Sequence, residues 1–268
     1  MKFDVATLTS LWLITFLCGA LVTTALSHMF ARVVAFRFWA VGFYLLAASS
    51  ACFALHFTWH YDALLIATAT LALQSRMLIW AGARELFGMK APWRAGLAGT
   101  VVFCALYGCA LLFKVPMVLR AGLLVLFFLP VRAATLYEVC RRRRPHLGPA
   151  RLIAMIGGTI VTLNAAVPLV LVLLDRTNVS LLLGNPQYTS ALYAVVFAGD
   201  LLLASGLMVL AFKLQMVEMN MLATLERGAM EHLATTQATR ADRHTRHAPD
   251  DGFGRDTPTQ RQSLPGPV

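Results

Sequence analysis

Residues 190–212 read SALYAVVFAGDLLLASGLMVLAF, an apolar run broken by a single charge, Asp200. As a helix rising 1.5 Å per residue, a run of this length crosses the roughly 30 Å hydrocarbon core of a bilayer. No breaker follows it. The chain goes on from Lys213 to Thr236 with Leu214, Val217, Met221 and Leu225 at helical spacing and Leu222, Ala229 and Leu233 offset beside them. Glu218, Glu226, Arg227 and Glu231 supply a polar face. The pattern predicts a cytoplasmic linker helix over 213–236, suited either to a parallel homodimer seam or to lying on the membrane surface.

Six further runs of similar length precede it: Ala6 to Leu26, Phe38 to Phe57, Ala63 to Ala83, Ala95 to Phe113, Met117 to Leu136 and Leu152 to Leu174. With 58% hydrophobic residues, 13% charged residues and a mean hydropathy of +0.67, the chain lies well outside the range of about 45–50% apolar content usual in soluble domains. The fold class expected is an all-α membrane protein, a seven-transmembrane-helix bundle over 1–212. Beyond Thr236 the composition turns to Arg, Asp, Thr, Gln, Pro and Gly, which predicts a disordered tail over 237–268. The first run exceeds the length of a signal-peptide core, and Lys2 is offset by Asp4, so it reads as a retained span.

The formal net charge of +10 could suggest nucleic acid, but the basic residues stand in short clusters between apolar runs. That distribution sets orientation in a bilayer. Eighteen of the 23 Lys and Arg fall on the side that includes Arg32, Arg84, Arg132, Arg151 and Lys213, four fall on the other, and Arg76 lies within the third run. The expected topology is N-out/C-in in a bacterial inner membrane, with the bilayer as partner and no nucleic acid. Arg141, Arg142, Arg143 and Arg144 would meet anionic lipid headgroups at the cytoplasmic surface. Cys18, Cys52, Cys104, Cys109 and Cys140 contain no CxxC pair and predict no disulfide framework.

Charges within the bilayer cost about 2.5–3.5 kcal/mol each on insertion scales, which singles out Arg76 and Asp200. A polar centre of Arg76, Asn164 and Asp200 is one reading. The other has Arg76 snorkelling to the interface and Asp200 facing water or protonated. Near the end of the second run Cys52, His56 and His60 recur every fourth residue, the spacing of a soft-metal or haem ligand stripe. The same residues, with Trp59 and Tyr61, also fit a polar interface and an aromatic belt, and no cofactor is predicted. Phosphate loops and the HExxH and GxSxG signatures are missing from the sequence.

Three segments resemble the N-terminal membrane region of bacterial membrane-bound diguanylate cyclases of the GGDEF type. They are Arg37-Phe38-Trp39-Ala40-Val41-Gly42, Trp80-Ala81-Gly82-Ala83-Arg84-Glu85-Leu86-Phe87-Gly88, and the exit Glu226 to Thr236 ending Leu233-Ala234-Thr235-Thr236. The resemblance implies a sensory input module acting on an output domain through its last helix, for an unknown small ligand. The chain departs from the family after Thr236, where it reads Gln237-Ala238-Thr239-Arg240, and it carries no GGDEF or GGEEF signature. Asp250-Asp251-Gly252-Phe253-Gly254 does not replace it. The expectation is therefore a non-catalytic module. A small-solute or ion transporter using Asp200 and Arg76 is the alternative.

Overall fold

A computed structural model of the chain describes residues 5–141, 148–174 and 186–246. They form α1 (Val5–Met29), α2 (Val34–Trp59), α3 (Asp62–Leu86), α4 (Trp93–Leu112), α5 (Met117–Arg141), α6 (Gly148–Leu174) and α7 (Pro186–Arg246). All seven include a stretch long and apolar enough to cross a membrane. Each helix extends past at least one end of the apolar run that announced it, although α4 stops at Leu112, one residue short of the other end. Hydropathy reads only the hydrocarbon slab, whereas the backbone ladder continues into the interface for as long as nothing interrupts it.

Short connections make consecutive helices antiparallel neighbours. Between α2 and α3 only His60 and Tyr61 intervene; His60 adopts φ 54° and its N–H bonds the His56 carbonyl, closing α2. Gly88, at φ 75°, turns the chain after α3, where Glu85 Oε1 accepts the Ala91 N–H at 3.0 Å. Two contiguous units partition the chain, 1–215 and 216–268.

In the first unit α2 packs on α1 and α3, and α5 packs on α6. Small residues set the closest approaches. Trp39 lies against Gly82 and donates its Nε1–H to the Ile79 carbonyl at 3.1 Å, where a Cβ on Gly82 would collide with the indole. Trp39 and Gly82 belong to the first two segments quoted for the cyclase resemblance, so those two segments meet at the α2–α3 contact. Between α6 and α7 the backbones themselves meet: a Cβ on Gly157 would stand 2.8 Å from the Gly199 carbonyl oxygen, and one on Gly206 2.6 Å from Ala154 Cα. Association in a bilayer lacks the hydrophobic drive available in water, so such close van der Waals contact carries much of it. The main core joins Phe16 and Ala20 of α1, Phe36, Trp39 and Phe43 of α2, Ile79 of α3 and Leu203, Leu207 and Ala211 of α7.

The second unit is the distal part of α7. It differs from the sequence expectation in length, for the helix persists to Arg246 instead of giving way at Gln237. The segment 237–246 holds Ala, Arg, Gln, Thr, Asp and His but neither Gly nor Pro, so nothing in it breaks a helix already under way. Met216, Val217, Met221, Leu222, Leu225, Met230 and Leu233 are exposed along it. The remainder of the predicted tail, 247–268, lies outside the described residues.

Candidate functional site

α3 carries Arg76 fourteen residues from its start, and α7 carries Asp200 near the middle of its apolar run, so both side chains originate deep in the bundle. They meet as a fork. Arg76 Nη1 donates to Asp200 Oδ1 at 2.7 Å, and Nη2 donates to Oδ2. Asp200 is 4% exposed and Arg76 7%. Two parallel charge-assisted bonds are the geometry by which a guanidinium best offsets the loss of water around a carboxylate. Of the two sequence readings, pairing is thus the one the structure adopts, and snorkelling is not.

Asn164 is not part of this centre. It is half-buried on α6 and lines none of the three described cavities around Arg76. Ile160 and Val161 are the α6 residues whose Cγ2 atoms face Gly199, which puts Asn164 about 4.5–6 Å further along the helix axis. Its expected place is taken by Arg132 of α5, which lines two of those cavities with Arg76. Arg132 donates from Nη1 to the Val161 carbonyl at 2.9 Å, and its Cζ lies 5.8 Å from the centroid of the Phe128 ring. Among the described residues no carboxylate pairs with it, and its Nε is a buried donor with no hydrogen-bond partner.

Above this layer, toward the α2–α3 turn, is a partly open cavity of about 250 Å³. Its floor is Arg76, Asp200 and Arg132, and Trp12, Phe53 and Tyr193 form much of its wall. The rings of Trp12 and Tyr193 are edge to face at 5.7 Å, and those of Phe53 and Tyr193 are 6.0 Å apart. Ser49, Ser50 and Thr68 also line it, but each hydroxyl donates to a helix carbonyl, of Thr68, Leu46 and Leu64 respectively.

A second charged contact lies nearer the opposite end. Arg84 Nε stands 3.7 Å from Glu138 Oε1, with Glu138 6% exposed and the Arg84 guanidinium 5.4 Å from the Trp80 ring centroid. Arg151 donates to the carbonyls of Val139 and Cys140, tying α6 to the end of α5. Sequence reasoning placed Arg84 and Arg132 among the loop cations and passed over Glu138. The signal was available for Arg132, which falls within the fifth apolar run as bounded by Met117 and Leu136.

The other sequence candidates are dispersed. His56 Nδ1 lies 3.0 Å from the Tyr61 carbonyl oxygen, and the His56 and His60 rings are 6.2 Å apart at the end of α2. Among the described residues no three His, Cys, Asp or Glu converge as a metal site, Cys52 included. Arg141 closes α5 with its guanidinium 5.9 Å from the Tyr137 ring centroid, while Arg142, Arg143 and Arg144 lie outside the described residues. All five cysteines are free thiols.

Among the described residues the fold and this centre define an all-helical, multi-pass membrane bundle with a paired charge at its heart and, beside it, a cation that no described carboxylate pairs. No family model matches the chain, and neither a curated protein nor a solved structure matches it.

Proposed function

We propose that this chain is a non-catalytic sensory input module of a bacterial inner membrane, relaying the state of its cavity through α7 to a cytoplasmic partner or output domain. One observation carries the reading: the cavity floor includes Asp200, a residue of the helix that continues into the exposed segment beyond Met216. Anything that competes for Arg76, or for the space above it, acts directly on α7. A ligand shifts a two-state element only by its differential affinity for the two states, and a buried ion pair that must be kept or broken supplies such a difference. The resemblance to cyclase membrane regions supports the same direction of relay.

The expected output is a change in pairing between two copies of the distal helix. At 100° per residue Val217, Met221 and Leu225 share one face, and Met219 and Ala223 lie opposite. Single cysteines at these sites, introduced into a chain whose native cysteines have been replaced, should crosslink at 217, 221 and 225 more efficiently than at 219 and 223. Asp200→Asn should change the yield. Equal yields on both faces, or a pattern indifferent to Asp200→Asn, would count against the relay.

A second reading, solute or ion transport, draws on the charged, partly open cavity. Flux through proteoliposomes that Asp200→Asn abolishes would favour it over sensing.

A further inference from the structure

The charges around the cavity do not balance. Two guanidiniums, Arg76 and Arg132, share its floor with one carboxylate, Asp200, which already gives both oxygens to Arg76. Arginine stays protonated in proteins, so the floor carries one positive charge in excess. In a bilayer such a charge is costly without a counterion, and among the described residues no carboxylate stands within 4 Å of the Arg132 guanidinium to pair with it. Three buried donors on residues that line the cavity, Arg132 Nε, Arg76 Nε and Trp12 Nε1, also lack partners among the described residues. Buried donors left unpaired are costly, and their presence beside a cavity points to a ligand that accepts from them.

From these features we infer that the cavity binds a small organic monoanion, a carboxylate carried on a compact apolar or aromatic body. The head would sit against Arg132, the group with an unmet charge. The hydroxyls of Ser49, Ser50 and Thr68 do not compete for it as donors, because each already donates to a helix carbonyl. The body would lie among Trp12, Phe53 and Tyr193, whose ring edges and faces favour an aromatic guest. At about 250 Å³ the space is smaller than the roughly 300 Å³ at which drug-sized pockets begin, which limits the guest to about one ring or a short chain. This inference names the ligand class of the sensory site proposed above and rests on that reading only for its physiological meaning.

The test uses the full chain, purified in a non-ionic detergent without carboxylate buffers, titrated calorimetrically with benzoate, benzyl alcohol, benzylamine and chloride. Hexanoate is added to compare a chain with a ring. Benzoate is expected to bind one per chain, with the neutral alcohol, the cation and chloride each at least tenfold weaker. Arg132→Gln should weaken benzoate at least tenfold and Arg132→Lys less. If Arg132→Gln does not yield a monodisperse protein, Ala72→Leu decides, since it fills the cavity without touching a charge and should also weaken benzoate tenfold. No benzoate binding, equal binding of benzoate and benzyl alcohol, chloride as tight as benzoate, or a folded Arg132→Gln or Ala72→Leu protein with unchanged affinity would each overturn the inference. Hexanoate as tight as benzoate keeps the anion and reassigns its body to an aliphatic chain. Failure here leaves the relay standing, because the distal-helix crosslinks decide that separately.

Discussion

Arg76 and Asp200 stabilise the bundle less by attraction than by the penalty each would incur alone. Replacing a buried pair with apolar groups is often neutral, whereas removing one partner strands the other and costs about 3–5 kcal/mol. Arg76→Gln and Asp200→Asn should therefore each lower the thermal midpoint in detergent substantially. The double variant should lose less than the sum, with a coupling of about 0.5–3 kcal/mol, as expected for residues in contact. Additive losses would mean that the pair does not persist in the bilayer. Both members of this pair could be read from residue identity, since a charge within an apolar run announces itself. That they meet could be offered only as one of two readings, because sequence does not say which helix faces meet. Arg132 shows the opposite error: it lies only four residues from the end of its run at Leu136, so proximity to the loop made it look solvated, while α5 continues past it to Arg141. Glu138, beyond the same run, went unnoticed for that reason, although its burial opposite Arg84 makes it one of the few carboxylates inside the bundle.

At the scale of elements, α7 depends on α6 through three glycines, Gly157, Gly199 and Gly206, at which any side chain meets a neighbouring helix. Gly157→Val and Gly206→Val should force the helices apart, open the core around Leu203 and Leu207, and shift the protein to lower melting temperatures or aggregation on size-exclusion chromatography. Overpacking of this kind costs about 1–3 kcal/mol where neighbours can yield, and backbone atoms yield least. Gly122→Ala in α5 is the control, for nothing lies within 4 Å of its Cβ position, and the change should be neutral or slightly stabilising. A Gly157→Val protein as stable as the control would show that the contact is looser than drawn. The sequence exposed the helices well because their apolar runs are long and separated by turns. The adjacent glycines Gly157 and Gly158 stand out within the sixth run, but nothing in the sequence names the helix that fills the space beside them. The sequence also ended the last helix too early, since low hydropathy after Thr236 removes a reason to be buried without removing the helical propensity of Ala238 to Arg246.

For the whole molecule, an odd number of spans puts the α2–α3 turn and the segment beyond Lys213 on opposite faces of a membrane. The charge asymmetry survives the reassignment of Arg84 and Arg132 to the bundle interior, because sixteen Lys and Arg still face four. Counted over short loops, such a bias directs the rich side to the cytoplasm. Tyr61, exposed in the α2–α3 turn, should therefore be extracellular or periplasmic, and Glu226 cytoplasmic. In a chain whose native cysteines have been replaced, Tyr61→Cys should react with a membrane-impermeant maleimide in spheroplasts, and Glu226→Cys only after permeabilisation. The outcome reaches beyond topology. Phe53 of α2, Thr68 and Ala72 of α3, and Tyr193 and Val196 of α7 place the cavity wall on the Tyr61 side of the Arg76–Asp200 layer, so the face from which the Tyr61→Cys thiol is labelled is also the face nearer the cavity. Labelling from outside would give an external anion the shorter route to Arg132. Labelling only after permeabilisation would reverse the polarity of the chain. Cavity and Lys213 would still lie toward opposite faces, but the ligand would come from the cytoplasm and the distal helix could not be the cytoplasmic output.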